Sequence, residues 1–193
     1  MKKLALSAGL TLLAAPALAH SGHGDTSGLM AGLSHPLFGP DHLLAMLAVG
    51  LWSGFVLPNR FWAGAATFLA AMAAGAAIRW AGIGYPMVEP VILASVAVFG
   101  LLVVASKPGQ AQGLTLASLA MIGLFASAHG HAHASEASGN ALGYLAGFLT
   151  ATAGLHLAGI AVARAVAAGR AARIVQGGLG LGILGGGLLM MAG

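Results

Sequence analysis

The sequence predicts an all-α, polytopic membrane protein, with six transmembrane helices behind a cleavable N-terminal signal peptide. Three observations predict it. Charge is sparse: eight Lys or Arg and four Asp or Glu in 193 residues, 6% of the chain, where a soluble domain carries about 25%. Apolar types make up 59%, with 31 glycines besides, and mean hydropathy is +0.92. Apolar stretches of about 20 residues recur along the chain, each long enough to cross a hydrocarbon core as a helix.

This composition excludes a cytosolic globular enzyme and a disordered chain. The pI near 10.2 reflects a surplus of four positive charges and no basic patch, so nucleic acid is not an expected partner. Cysteine is absent, which removes disulfides, zinc ribbons, iron–sulfur clusters and thiol nucleophiles. Against this background the eight histidines stand out, twice the number of carboxylates.

Residues 1–19 have a basic start at Lys2 and Lys3, a short apolar run, and Ala17-Leu18-Ala19 as a cleavage site. That is the pattern of a bacterial secretory signal, with an apolar run too short for a span. Cleavage leaves a mature chain from His20 on the outer face of the inner membrane. Residues 20–34 then form a histidine-containing tail and residues 35–193 the six-helix domain.

The first span is expected at residues 36–57, stopped by Pro58-Asn59-Arg60, and the second at 61–78, ending at Arg79. The third covers 86–106, before Lys107-Pro108-Gly109, and the fourth covers 112–128 and runs into a histidine-rich loop. The fifth, at 139–163, leads into an Arg164–Arg173 linker, and the sixth occupies 174–192. With the mature N-terminus outside, inner loops hold Arg60, Lys107, Arg164, Arg170 and Arg173, and outer loops hold only Arg79. This agrees with the positive-inside rule. Small residues at 63–77 and 177–187 read as close-packing helix faces. The second stretch also suits a flexible segment or an oligomer contact.

The polar residues gather toward the outer side. His20, His23 and Asp25 lie in the tail. His35, Asp41 and His42 lie at the outer end of the first span, and Glu89 at that of the third. His129, His131, His133 and Glu136 lie where the fourth span meets its loop, and His156 is deeper. Ionisable groups at membrane depth are costly and mark sites or pathways. Imidazole and carboxylate without thiol suit Ni²⁺, Co²⁺, Zn²⁺ or Cu²⁺ better than Ca²⁺ or Mg²⁺.

His35 and His42 are seven apart, which on one helix is a single face. Pro40 is placed as a first-turn proline. Asp41 can orient an imidazole or supply an oxygen, and Met46, one turn below His42, offers a soft sulfur. His129 and His133 pair at i, i+4 if the helix continues; if the segment is extended, alternate histidines share a face instead. The tail residues His20 and His23 read as a mobile segment or a metal collector. Glu89 reads as a site carboxylate or an interfacial group. His156 reads as a core histidine bonded to a neighbour such as Thr152, or as a second station on a conduction path.

Several of these residues also carry a family likeness. His35-Pro36-x-x-Gly39-x-Asp41-His42-x-x-Ala45-Met46-x-x-Val49-Gly50-x-Trp52 resembles the signature of the HupE/UreJ family of bacterial nickel permeases. Val88-Glu89 with Ser95, His129-Gly130-x-Ala132-His133-x-x-Glu136 and Ala153-Gly154-Leu155-His156-x-x-Gly159 resemble further family segments. Ala134 departs from the glycine the pattern carries. The resemblance implies a secondary transporter moving Ni²⁺, in some members Co²⁺, inward to supply hydrogenase or urease. It implies the metal as cargo, with no prosthetic group. It also implies that His35, Asp41, His42, His129, His133 and Glu136 matter for transport.

Two other classes fit the residues less well. An intramembrane metal-dependent hydrolase would want H-E-x-x-H or G-x-S-x-G, and a membrane-anchored metal sensor would want a soluble domain. Neither feature is found, and there is no P-loop for a built-in ATPase.

Overall fold

The computed structural model describes residues 26–137, 139–167, 169 and 171–193. The expected signal peptide, His20, His23, Asp25 and Arg170 lie outside the described residues. All regular structure among the described residues is helical: α1 (Thr26–Phe38), α2 (Pro40–Val56), α3 (Ala63–Trp80), α4 (Val88–Ala105), α5 (Gln112–Glu136), α6 (Ala141–Ala167) and α7 (Ala172–Ala192). Five of them, α3 to α7, are long and apolar enough to cross a bilayer. α2, at 17 residues, is apolar but shorter.

The expected first span is divided. Gly39 is extended (φ −86°, ψ 110°) and Pro40 opens α2. The Pro40 ring disfavours helical geometry at the residue before it, and Pro40 has no N–H to continue the α1 ladder. Pro40 is therefore the first-turn proline the sequence indicates, while Pro36 lies inside the preceding helix. Residues 26–34, expected to be tail, are taken up by α1, which packs along α6. The described 13 residues of α1 cover roughly 20 Å.

α5 also departs from expectation, continuing eight residues past 128 to Glu136. No proline interrupts 129–136. Gly130 has no side chain where α5 meets α3: a Cβ there would strike the Met72 carbonyl, as one at Gly75 would strike that of Ser127. Residues 129–133 are rich in histidine yet buried by packing, while Ser135 and Glu136 are exposed.

α2 is the hub, contacting α1, α3, α4, α6 and α7. From Ala45 to Val56 it is almost wholly buried, with Trp52 and Met46 among the largest enclosed side chains. Gly50 faces Gly159 and the His156 carbonyl, and Gly54 faces Ile160, so α2 and α6 meet backbone to backbone. A helix enclosed by protein need not match the lipid thickness, which accounts for its shortness. In the Gly/Ala stretch of α3, Gly64 lies against α2 and Gly75 against α5, while Ala66 and Ala70 are exposed. In α7, Gly180 and Gly187 lie against α4, while Gly177, Gly178, Gly182 and Gly185 face open space.

The bundle has two chemically different ends. At one, Arg173 donates to the Ser106 carbonyl (2.8 Å) and to Gln176, and Trp52 donates to the Ser106 hydroxyl (3.0 Å). Arg164 there lies over the Phe61 ring. At the other end stand the histidines of α1, α2 and α5, with Arg79 donating to Ser135.

Candidate metal centre

Three helix ends meet at the histidine end. The break at Gly39 turns the chain so that His35, from the last turn of α1, faces His42, from the first turn of α2; their ring centroids are 5.7 Å apart. The two do not share one helix face, as the spacing had indicated, because the helix is interrupted between them. His133 comes from the last turn of α5, with its ring 4.8 Å from that of His35 and 4.4 Å from that of His42. His35, His42 and His133 each place a ring nitrogen within 4.8 Å of the others. Two nitrogens on opposite sides of one transition-metal ion lie about 4.2 Å apart, so small side-chain shifts close this set on an ion. His129, one turn back along α5, has its ring 5.1 Å from that of His42. Because α5 continues as a helix, His129 and His133 pair at i, i+4.

Hydrogen bonding sets the orientation of the His42, His133 and His129 rings. His42 Nδ1 donates to Asp41 Oδ1 (2.9 Å) and His133 Nδ1 to Glu136 Oε2 (3.2 Å). The same Glu136 oxygen is 3.4 Å from His35 Nε2. The Ser95 hydroxyl gives its proton to the Ile92 carbonyl (2.6 Å) and accepts from His129 Nε2 (3.0 Å). The opposite nitrogens, His42 Nε2, His133 Nε2 and His129 Nδ1, are buried and have no partner among the described residues. One nitrogen of each ring is tied to a protein acceptor, and the other keeps a bare lone pair. Metal-binding histidines are held in this way, with a protein acceptor fixing the nitrogen that does not bind the ion. Asp41 and Glu136 orient the rings and bring negative charge to the site.

α6 supplies an aromatic wall that the sequence reading missed. The Phe148 ring lies 3.9 Å from His133, and Tyr144, whose buried hydroxyl has no partner among the described residues, is 6.2 Å from His35. Their only signal was an i, i+4 aromatic pair on one face. Ser95 was visible only as part of a family segment. Burial holds the His35 imidazole below its ordinary pKa, opposed by the Glu136 carboxylate and reinforced by His42.

Other candidates stand apart. His131 points away and donates from Nε2 to the Ile83 carbonyl (3.0 Å), beside Tyr85. Glu89 is exposed, and no hydrogen bond or ion pair among the described residues joins it to the cluster. The Met46 sulfur accepts from the Thr152 hydroxyl (3.3 Å). His156 is not bonded to Thr152, as one reading had it; its Nδ1 donates to the Met46 carbonyl (2.7 Å).

The family model described as HupE / UreJ protein matches residues 8–190. The chain belongs to the HupE/UreJ family. It is 39% identical over 178 residues to Protein HupE of Rhizobium leguminosarum bv. viciae, covering 91% of each chain. No solved structure matches it. In this HupE/UreJ chain, two of the segments that carry the likeness meet in space. The segment around His35–His42 and the segment around His129–Glu136, remote in sequence, supply facing imidazoles.

Proposed function

We propose that this family member is a secondary transporter of divalent transition metal in the bacterial inner membrane, taking up Ni²⁺, and Co²⁺ second, from the periplasm. The metal is cargo; hydrogenase or urease maturation is its destination, as the family likeness implies. The observation that carries this reading is the set of buried, unpartnered ring nitrogens on His42, His133 and His129, with the other nitrogen of each ring already bonded. An unpaired buried acceptor destabilises a fold. A cation held among His35, His42 and His133 compensates two of these, and one passed on to His129 compensates the third.

The arriving ion exchanges water for the nitrogens of His35, His42 and His133, with His129 next in line. Asp41 and Glu136 offset its charge, because a bare divalent ion in apolar surroundings is very costly. A negative-inside potential of 100 mV favours inward movement of a divalent ion by about 4–5 kcal/mol, so no nucleotide is required. Metal choice rests on geometry, since most nitrogen and oxygen sites prefer Cu²⁺ to Ni²⁺.

The test is ⁶³Ni²⁺ accumulation by cells or proteoliposomes bearing the wild type or His42→Ala. At least a tenfold loss in the variant is expected. Wild-type binding without accumulation would favour a sensor, and equal accumulation by both proteins would remove the site from the pathway.

A further inference from the structure

His156 repeats, one level deeper, the arrangement seen in the outer cage. It is fully buried on α6, with Nδ1 donating to the Met46 carbonyl at 2.7 Å. Its Nε2 is buried and has no partner among the described residues. Met46 lies one turn, about 6 Å, further along α2 than His42. The Phe68 ring of α3, fully buried, contacts both levels: its centroid is 5.5 Å from that of His129 and 5.0 Å from that of His156. The nearby Met46 sulfur is already engaged by the Thr152 hydroxyl. The lone pair on His156 Nε2 is thus the uncommitted donor at this depth. A histidine serving only to clamp α6 to α2 needs its Nδ1–H and nothing at Nε2.

We infer that His156 is a second, inner station for the metal ion, which reaches it from His129 past the Phe68 ring. This rests on the transport reading above and gives that path its next step. The outer cage captures the ion; His156 takes it toward the basic end of the bundle, along the most enclosed helix of the protein.

The experiment uses the full-length protein, purified and reconstituted, with Ni²⁺ as the probe, and measures both equilibrium binding and ⁶³Ni²⁺ flux. His156→Asn keeps an N–H where Nδ1 donates to Met46 and removes the atom at Nε2. His156→Gln places an amide near Nε2 and gives up the Met46 bond. In each folded variant, outer-site binding is expected within about threefold of wild type while flux falls at least tenfold. A smaller loss of flux in His156→Asn overturns the inference, since the clamp alone would suffice. Parallel loss of binding and flux overturns it too, as does failure of both variants to fold, because the role is then structural. Wild-type protein that binds Ni²⁺ but passes none fails at the transport reading, and the inner station falls with it.

Discussion

His42 shows how one side chain is prepared for its task. Its Nδ1–H is held by Asp41 at 2.9 Å, which leaves Nε2 without a proton and facing the other imidazoles. An Asn at position 41 can turn its amide N–H toward Nδ1 and reverse that tautomer. Asp41→Asn is therefore expected to weaken Ni²⁺ binding by about 10–100-fold without unfolding the protein, as measured by isothermal titration. Unchanged affinity would leave the carboxylate no orienting role. Protons compete with metal for the same lone pairs, so affinity should be level near neutral pH and fall in acid. Burial lowers the His35 pKa, so His35 keeps its lone pair to a lower pH than a solvated histidine does. The fall should thus begin at more acidic pH than for a histidine tag titrated alongside, and an earlier onset would show that His35 is not a ligand. The donor types were plain in the sequence. Which nitrogen of each ring is free was not, because that depends on Ser95, on another helix, and on the turn that places Glu136 beside His133.

At the scale of the helix, two local devices build the cage. The Gly39–Pro40 break lets His35 and His42 face each other, and the Gly130–Met72 contact lets α5 lie against α3. Gly130→Leu would force those backbones apart between His129 and His133. It is expected to lower stability by about 1–3 kcal/mol, read as a drop in Tm, and to abolish high-affinity Ni²⁺ binding. Wild-type Tm and affinity would show that the α3–α5 contact does not position the site. Pro40 was readable as a helix start, since its effect on its neighbour is local. The continuation of α5 to Glu136 was not, because polar residues end a hydropathy pattern whether or not packing buries them.

Across the whole molecule, chemistry is divided between two ends. The histidines occupy one, and Arg164 and Arg173 the other. Since the chain has no cysteine, single introduced thiols report their side cleanly. Gly84→Cys should react with an impermeant maleimide in intact spheroplasts and Pro108→Cys only after lysis. The reverse pattern would invert the transporter. In proteoliposomes, a valinomycin-imposed negative-inside potential should raise Ni²⁺ uptake without ATP, and uptake indifferent to potential would rule out electrogenic transport.

Composition and periodicity alone determined the membrane class, the positions of the apolar helices, the sparseness of charge and the donor types available to a metal. These follow from the chain's own chemistry, because lipid demands long apolar helices whatever surrounds them. Tertiary structure alone decided that α2 is a short central helix, that His35 joins His42 across a break, and that His131 turns away while His156 is anchored to Met46. The central place of α2, the anchoring of His156 and the seating of His133 depend on backbone contacts between helices remote in sequence, where missing side chains at Gly50, Gly130 and Gly159 set the distance. No pattern read along one helix contains that distance.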